Sequence, residues 1–295
     1  MKITVFTPTY NRGYIIETLH QSLLRQSFSD FEWIVVDDGS TDQTEELFER
    51  ILAEAPPFPV HYEKCKNGGK HRAINRGVSI ASGELFFIVD SDDYLTDDAL
   101  EKIVNVENSI LPEQRHVFAG VCGQRGYSGE KAIGSSFEGE QYLDITSLER
   151  PQYHITGDKA EVFYTEILRK YPFPEFEGEN FLTECVVWNK IAFDGYKLRF
   201  FNEIVYICDY LPDGLTSQGN SLFEKNPKGW GTYLYQRGLF GQSYGIHKWE
   251  ELSRFYHRYK DQLGVKEIAR LFHLSPFVLK LRMFGLKVFY KLYDR

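Results

Sequence analysis

The sequence predicts an α/β fold in which helices flank a central, mostly parallel sheet. Strand-like apolar runs and helix-like segments alternate three times within roughly the first ninety residues, and such alternation is typical of βαβ units. The run at residues 85–89 is apolar throughout, as expected for a strand buried on both faces. It ends at three carboxylates within four positions, Asp90, Asp92 and Asp93. In an open α/β sheet, ligands bind at this carboxyl end of the strands.

The first half of the chain supplies the strands and helices of this sheet in order. Strands are predicted at residues 3–6, 31–36, 60–65 and 85–90. Ile15, Leu19 and Leu23 recur at helical spacing after the first strand and predict an amphipathic helix there. The pattern at residues 40–43 resembles a capping box, so its serine is expected to cap the next helix. Thr96 is the expected cap of a later helix.

The second half of the chain has a looser pattern and ends in helices. A strand is predicted at residues 116–122, helices at 159–170 and 181–193, and a bent strand or strand pair at 198–208. Glycines recur through residues 123–139, which predicts a mobile loop there. The remainder is expected to be helical.

Composition and charge exclude several classes of function. The formal net charge is −8, but residues 253–295 carry +7 and residues 1–252 carry −15. Such an acidic body does not favour nucleic-acid binding. The four cysteines form no Cys-x-x-Cys pair, so neither a disulfide framework nor a zinc site is expected. Because the N-terminus lacks signal-peptide features and no apolar window of about 20 residues occurs, we expect a cytoplasmic protein.

The acids at residues 90–93 are the strongest candidate for a functional site. Two carboxylates 4 Å apart repel each other by about 1 kcal/mol in water and by about 4 kcal/mol at an effective dielectric constant of 20. A positive partner is therefore expected beside them, and clustered oxygen ligands suit Mg²⁺ or Mn²⁺. The alternative is a solvated acidic turn before a helix, which explains Asp97 and Asp98 well but Asp90 and Asp92 poorly.

Two other strands also end in polar residues. The strand at residues 3–6 is followed by Thr7, Pro8, Thr9, Tyr10 and Asn11. The strand at residues 31–36 is followed by Asp37 and Asp38. Because neighbouring parallel strands share one edge, we expect these residues to converge with residues 90–93. There Asp38 could accept a hydrogen bond from a base, Tyr10 could face the base, and Asp90 could bind a ribose hydroxyl. A tight turn with a helix cap would explain Ser40 but does not require two adjacent acids.

A cationic helix start follows the glycine turn at residues 67–69. Gly69 allows the backbone to approach an anion closely, and Lys70, His71 and Arg72 add cationic side chains beside it. A sugar-nucleotide diphosphate matches this charge pattern. A solvated basic first turn remains the alternative for each side chain alone. The segment does not have the spacing of a Walker A loop.

Together these segments resemble the family 2 nucleotide-sugar glycosyltransferases, which have the GT-A fold. The resemblance is carried by Thr7-Pro8-Thr9-Tyr10-Asn11, residues 35–42, Asn67-Gly68-Gly69 with Ala73 and Asn75, and residues 82–93. Their order and spacing extend through about the first hundred residues. The resemblance implies a Rossmann-like sheet and an inverting enzyme that moves a sugar from a nucleotide-diphosphate donor, by default a UDP-sugar, to an acceptor hydroxyl.

The resemblance also implies roles for individual residues. Asp92 matches the principal ligand of Mn²⁺ or Mg²⁺ in a DxD motif, and Asp90 matches a contact to the metal, the ribose or the diphosphate. Asp38 matches the acid that contacts the base. The remaining residues of the implied donor site are Thr7, Pro8, Thr9, Tyr10, Asn11, Gly69, Lys70, Arg72, Asn75 and Ser91.

An inverting transfer also needs a general base for the acceptor hydroxyl. The resemblance places this base in an acidic segment at a helix start, where Glu184 stands in Phe181-Leu182-Thr183-Glu184-Cys185. Because the usual Glu-Asp pair is Glu-Cys in this chain, Glu179 and Glu177 remain alternatives. Glu184 could otherwise serve only to complement the helix dipole.

On this interpretation residues 1–215 form a catalytic domain and residues 216–295 a helical extension. Residues 1–98 would bind the nucleotide sugar, and residues 99–215 would bind a glycan or lipid-linked glycan in bacterial-type surface polysaccharide assembly. A non-catalytic protein that binds sugar nucleotides or glycans is an alternative. A sugar-phosphate nucleotidyltransferase is another, which is disfavoured because no glycine-rich basic loop follows the first strand.

The basic C-terminal tail has two explanations. After Ser275-Pro276, the residues Lys280, Lys287 and Lys291 share one face of a predicted helix, and apolar side chains cover much of the rest. A helix of this kind suits an anionic surface. Residues 254–295 would then contact the inner face of the cell membrane. It could also pack its apolar side on the catalytic domain.

Overall fold

A computed structural model shows a chain folded around one mixed sheet, and it describes residues 1–128, 131–208, 219–241 and 245–293. The strands are β1 (Ile3–Thr9), β2 (Phe31–Asp37), β3 (Val60–Lys64), β4 (Leu85–Ile88), β5 (Tyr94–Leu95), β6 (Phe118–Gly126), β7 (Leu143–Ile145), β8 (Lys159–Tyr164) and β9 (Lys197–Ile207). They pair in the order β3-β2-β1-β4-β8-β6-β9-β5, with β7 beside β9.

Helices connect the strands and make up the C-terminal part. They are α1 (Glu17–Leu24), α2 (Thr44–Ala53), α3 (Lys70–Ile80), α4 (Ala99–Asn108), α5 (Thr165–Lys170), α6 (Cys185–Phe193), α7 (Asn220–Lys225), α8 (Pro227–Leu239), α9 (Gly245–Leu271) and α10 (Pro276–Tyr293). Strands β1 to β4 pair in parallel, with α1 to α3 as their connections. The predicted α/β fold with a mostly parallel central sheet flanked by helices is thereby confirmed.

Strand β8 occupies a segment for which the sequence predicts a helix. Only Thr165–Lys170 of the predicted helix at 159–170 is helical, and its first half is β8. This strand fills the space between β4 and β6 and runs antiparallel to both. Val162 and Phe163 are buried there. Pairing on both edges and burial of both faces outweigh the local helical pattern, because strand preference depends mainly on packing.

Strand β6 extends into the predicted glycine-rich loop. Residues 123–126 are its last four residues and do not begin a loop. A Cβ added to Gly123 would lie 2.7 Å from the ring of Phe201 on β9. This glycine therefore allows the neighbouring strand to pack closely. Residues 129 and 130 of the predicted loop lie outside the described residues.

Two predicted helix caps are placed differently in the structure. Ser40 does not cap α2, because its Oγ accepts the amide of Asn11 at 2.8 Å. Asp42 instead accepts the amide of the first α2 residue at 3.1 Å. Helix α4 begins directly after Asp98, and Thr96 donates its hydroxyl to that carboxylate instead of occupying the cap position. The cap pattern alone does not distinguish these nearby oxygens.

The described residues contain two clusters of buried apolar side chains. The larger cluster joins the strands to helices α1–α6. The smaller cluster lies among helices α8–α10 and includes Leu252, Phe255 and Ile268. Phe176 packs against both clusters. The predicted boundary between residues 215 and 216 lies outside the described residues, so the division into two domains stays a prediction.

Helix α10 has apolar side chains on two opposite faces. Leu279 and Met283 are buried in the smaller cluster. Phe277, Leu281 and Phe284 are 76%, 58% and 66% exposed. Residues two apart on a helix differ in direction by about 200°, so the exposed set points away from the buried set. The helix thus packs on the protein with one face and exposes an apolar strip on the other.

The basic residues of α10 are described in part. Lys280 is exposed. The side chains of Lys287 and Lys291, the other two residues of the predicted basic face, lie outside the described part of the structure. Within the described ranges, every helix is too short or too polar to cross a lipid bilayer.

Gly77 marks the closest contact between α3 and the sheet. A Cβ added there would overlap the ring of Phe6 on β1. Gly77→Ala should therefore lower the free energy of unfolding by about 1–3 kcal/mol, although alanine favours an isolated helix by about 1 kcal/mol. Urea unfolding followed by circular dichroism measures this change. Ser79→Ala, at an exposed position of the same helix, is the control, and an unchanged or higher stability of Gly77→Ala would contradict the prediction.

Candidate active site

The carboxyl ends of β1, β2 and β4 meet at one edge of the sheet. Thr9 pairs with Asp37 in the register of β1 and β2, and the Thr9 carbonyl accepts the amide of Asp38 at 2.8 Å. On the other side of β1, the Phe6 carbonyl accepts the amide of Val89 at 2.8 Å. The structure therefore brings the three predicted polar segments together, as a parallel register requires.

Hydrogen bonds fasten the first two segments to each other. Ser40 Oγ accepts the Asn11 amide, and Asn11 Oδ1 accepts the Thr41 amide, both at 2.8 Å. Asn11 has a φ of 54°, a left-handed conformation that asparagine adopts more readily than most residues. Asp37 accepts the Ser40 amide at one oxygen and the Tyr62 hydroxyl at the other. This buried acid therefore shapes the turn.

Asp38 holds the glycine turn that precedes α3. Its two carboxylate oxygens accept the amides of Gly68 and Gly69 at 2.7 and 2.8 Å. Burial raises the pKa of Asp38, and these two amides partly offset that effect. Gly69 has a φ of 97°, and a Cβ there would overlap the carbonyl oxygen of Asn180. The close backbone approach predicted at Gly69 is thus made to the segment that leads to Glu184.

Lys70 supplies the positive charge expected beside the acids. Its Nζ lies 2.7 Å from Asp90 Oδ1 and 2.8 Å from Glu184 Oε1. Burial alone would lower the pKa of Lys70, but the two carboxylates outweigh burial and raise it. Burial would likewise raise the pKa of Asp90, but the nearby Lys70 and Arg125 lower it. One ammonium group therefore joins the predicted donor-side acid to the predicted base.

A tyrosine of β9 holds the acidic turn from another direction. The Tyr206 hydroxyl donates to Asp93 Oδ2 at 2.6 Å and accepts the Asp90 amide at 2.9 Å. The Arg125 guanidinium lies 4.1 Å from the centroid of the Tyr206 ring. Burial, followed by the charge of Asp90, raises the pKa of Asp93 to about 7. The roles of Tyr206 and Arg125 were not predicted, because no local pattern in the sequence connects β6 or β9 with a turn so distant in the chain.

Asp90 and Asp92 are the two acids of the turn that suit a cation. Burial raises the pKa of Asp92, and the neighbouring charge of Asp90 raises it further. Arg12 Nη2 lies 3.9 Å from Asp92 Oδ2. In the part of the chain that the structure describes, no group of three His, Cys, Asp or Glu side chains could hold a metal ion by itself. Two carboxylates fit a hard divalent ion that takes its remaining ligands from a diphosphate and water.

Arg72 and Asn75 point away from the position predicted for them. The Arg72 guanidinium donates to the carbonyls of Glu179 at 2.6 Å and Phe176 at 2.7 Å. The Asn75 side chain donates to the Phe173 carbonyl at 2.9 Å and accepts the Phe173 amide at 2.8 Å. Both side chains therefore anchor residues 173–179 to α3. Positions 70 and 72 differ in direction by about 200° on a helix, so they do not face the same anion.

Glu179 and Glu177, the alternatives to Glu184 as the general base, lie in different surroundings. Glu179 is buried, and its carboxylate accepts the amides of Lys228 and Gly229 at 2.7 and 2.9 Å. It therefore stabilises the start of α8. Glu177 is exposed on the preceding segment. Glu184 stands directly before α6, and of the three it is the one that the structure pairs with Lys70.

The remaining predicted donor-site residues differ in exposure. Thr7, Pro8, Thr9 and Ser91 are buried, whereas Tyr10 is about half exposed. The Thr7 hydroxyl accepts the indole N–H of Trp33 at 3.0 Å. Thr9 Oγ1 is buried without a hydrogen-bond partner among the described residues. Thr7 thus supports the strand end, whereas Thr9 retains a polar atom that a ligand could engage.

Comparison with known proteins identifies the family. Residues 4–130 match the model of glycosyl transferase family 2. An uncharacterized glycosyltransferase of Haemophilus influenzae is 33% identical over 186 residues, which cover 62% of this chain and 71% of that protein. The chain therefore belongs to glycosyl transferase family 2, and the class indicated by the motifs, the glycosyltransferases, is confirmed.

Other relatives carry more specific names. The GalNAc(5)-diNAcBac-PP-undecaprenol β-1,3-glucosyltransferase of Campylobacter jejuni is 27% identical over 63% of this chain and 58% of its own length. TarS of Staphylococcus aureus, a poly(ribitol-phosphate) β-N-acetylglucosaminyltransferase, is 38% identical over 57% of this chain and 28% of its own length. The chain thus spans less than two thirds of the length of these relatives.

Solved structures confirm the fold. The crystal structure of S. aureus TarS residues 1–349 in complex with UDP-GlcNAc matches with a TM-score of 0.61 and 20% identity, over 96% of this chain and 88% of that one. Mannosyltransferase PcManGT from Pyrobaculum calidifontis, in complex with GDP-Man and Mn²⁺, matches with a TM-score of 0.52 and 18% identity, over 92% and 72%. The predicted GT-A fold is therefore correct.

The Tyr206 hydroxyl should contribute measurably to stability. Tyr206→Phe leaves the Asp93 carboxylate and the Asp90 amide without this partner in a buried place. We expect the free energy of unfolding to fall by about 1–3 kcal/mol, as for other buried polar groups that lose a partner. Tyr153→Phe, which removes an exposed hydroxyl, should change it by less than about 0.5 kcal/mol. Equal urea-unfolding curves for the two variants would contradict this role.

Proposed function

We propose that this protein transfers a sugar from a nucleotide-diphosphate sugar to an acceptor hydroxyl, with inversion at the anomeric carbon. Membership of glycosyl transferase family 2 supports glycosyl transfer. The observation that carries the proposal is the Lys70 bridge, which holds Asp90 and Glu184 on either side of one ammonium group. A direct displacement needs the donor and the acceptor base this close, because the leaving and attacking oxygens share one carbon.

The strand ends would bind the donor nucleotide. Tyr10 exposes a ring that could stack on the base. Asp38 could accept a base N–H, because each carboxylate oxygen can accept a second hydrogen bond besides the one from Gly68 or Gly69. The complex of TarS with UDP-GlcNAc supports a UDP-sugar as the donor.

Asp90 and Asp92 would hold a divalent ion, Mn²⁺ or Mg²⁺. Their carboxylate oxygens are the hard ligands that these ions prefer, and Lys70 keeps the pKa of Asp90 low, so that ligand stays ionised. A bound ion would neutralise charge that develops on the departing diphosphate. The complex of PcManGT with GDP-Man and Mn²⁺ supports a metal of this kind.

Glu184 would take the proton of the acceptor hydroxyl as the glycosidic bond forms. Its carboxylate is partly exposed, so an acceptor can reach it, and Lys70 fixes its position. The bond to the nucleoside diphosphate breaks in the same displacement, through an oxocarbenium-like transition state of the kind known from glycoside hydrolysis. The proton remains on Glu184, and the nucleoside diphosphate departs with the electron pair of the broken bond.

The proposed acceptor is a glycan or lipid-linked glycan of a cell-surface polymer. The names of two relatives support this class, because they act on an oligosaccharide linked to undecaprenol diphosphate and on poly(ribitol phosphate). A lipid-linked acceptor would place the protein at the cytoplasmic face of a membrane. Helix α10 suits that location, because residues 276–293 contain four basic and no acidic residues and expose an apolar strip.

A donor-panel assay distinguishes this proposal from its alternatives. The protein is incubated with Mn²⁺, a panel of nucleotide sugars and glycan acceptors. Release of nucleoside diphosphate together with a glycosylated acceptor is the expected result. Release of pyrophosphate would indicate a nucleotidyltransferase, and nucleotide binding without turnover would indicate a non-catalytic binding protein. Either outcome would overturn the proposed transfer.

Glu184→Gln should separate donor binding from transfer. The amide keeps the size of the side chain but cannot accept the acceptor proton, so we expect transfer to fall by about 10²–10⁴-fold. The affinity for the nucleotide, measured by calorimetry, should stay within about threefold. Glu166→Gln, at an exposed position in the first turn of α5, is the matched control. Full transfer by Glu184→Gln would rule out this base and direct attention to Glu177.

The exposed strip of α10 should determine membrane affinity. Replacing Phe277, Leu281 and Phe284 together by Ser removes three apolar side chains from this strip. Full burial of one such side chain in an apolar environment is favourable by about 1.5–3 kcal/mol. We expect co-sedimentation with phosphatidylglycerol vesicles to fall more than tenfold. Leu111→Ser, which also replaces an exposed leucine, is the control. Equal binding of wild type to neutral phosphatidylcholine vesicles, or unchanged binding by the triple variant, would contradict the prediction.

A further inference from the structure

Helices α7, α8 and α9 line a groove of about 290 Å³, and its Phe223 contacts Phe181 of the segment that leads to Glu184. Its walls include Phe223 of α7, Trp230 of α8 and Phe255 of α9. We propose that this groove binds neutral sugar units of the acceptor glycan beyond the unit that receives the new sugar. The inference rests on the proposed glycosyl transfer and extends it, because it assigns part of the acceptor site to the C-terminal helices.

Aromatic rings form one wall of the groove. The ring centroid of Trp230 lies 4.5 Å from that of Phe223, and both side chains line the groove. Trp230 remains partly exposed. The C–H face of a pyranose ring is apolar and can pack on rings of this kind, while its hydroxyls stay free for polar partners. The wall therefore offers what one face of a sugar ring needs.

Ion pairs supply the polar partners. Arg237 of α8 lies 3.1 Å from Glu251 of α9, and Arg258 of α9 lies 2.9 Å from Glu224 of α7. Guanidinium groups donate and carboxylates accept hydrogen bonds, and a sugar hydroxyl needs both kinds of partner. With Arg254 included, the lining residues carry an excess of one positive charge. That excess is too small for a polyanion site, and the charges disfavour an alkyl chain, because they would lose hydration beside it.

One wall of the groove contacts the segment that leads to the candidate base. The ring of Phe181 meets the ring of Phe223 edge-on, with centroids 5.3 Å apart. Phe181 precedes Glu184 by three residues, and three residues of chain span at most about 10 Å. The amide of Gly229, directly before Trp230, donates a hydrogen bond to the carboxylate of Glu179. A glycan whose terminal hydroxyl lies at Glu184 can therefore extend into the groove.

Calorimetry with defined oligosaccharides tests the inference without any donor. The probes are tetrasaccharides of glucose, N-acetylglucosamine and N-acetylgalactosamine. We expect at least one of them to bind the wild type, with affinity at least fivefold lower for Arg254→Ser and tenfold lower for Trp230→Leu. Arg254 is 81% exposed, so its replacement decides the test if Trp230→Leu fails to fold. Arg270→Ser, at an exposed position of α9 outside the groove, is the matched control and should bind like the wild type.

Several results would overturn the inference. They are absence of binding across the panel, equal binding by the wild type and Arg254→Ser, and tighter binding of poly(ribitol phosphate) than of any neutral probe. Binding of UDP to the unaltered protein is measured separately. Failure to bind UDP would count against the proposed transfer, whereas tetrasaccharide binding lost in Arg254→Ser would still establish the groove.

Discussion

The bridge from Lys70 to Asp90 and Glu184 is the interaction on which the candidate site depends. Asp90 follows strand β4 near the middle of the sheet, and Glu184 stands directly before helix α6, 94 positions later in the chain. Without a cation between them, two carboxylates brought this close would repel each other. The ammonium group turns that repulsion into a link between the strand ends proposed to bind a nucleotide and the proposed base.

The position of Lys70 is set by the backbone before it. Asp38 binds the two glycine amides of the turn, and Gly69 packs against the backbone of Asn180 so closely that no side chain would fit. The same residues therefore shape the edge proposed to bind the nucleotide and hold the segment before Glu184. Tyr206 completes the frame, because it binds both the side chain of the third acid and the backbone of Asp90.

The sequence predicted that the acids lie at the ends of neighbouring strands, but it did not predict several of the groups that they contact. The acids end apolar strands, and parallel pairing brings strand ends to one edge whatever the details of packing. Arg72 was predicted to face the donor, because the charge of a basic first turn does not reveal where each side chain points. In the structure its guanidinium donates to carbonyls of the segment that includes Phe176. Glu179 looked like Glu184 in sequence, but the start of α8 takes up its carboxylate. Strand β8 was missed because its pairing partners lie far away in the chain.

Local pattern by itself determined the α/β class, the positions of the first four strands along the chain and the resemblance to the family, because hydrophobic periodicity and strand-end residues can be recognised in short segments. Tertiary structure decided what the positive partner of Asp90 is, which glutamate stands beside it, and that α10 both packs and exposes apolar side chains. The two contacts of Lys70 join residues 20 and 114 positions apart in the chain. Such contacts follow from packing of the whole chain and leave no periodic trace in the sequence.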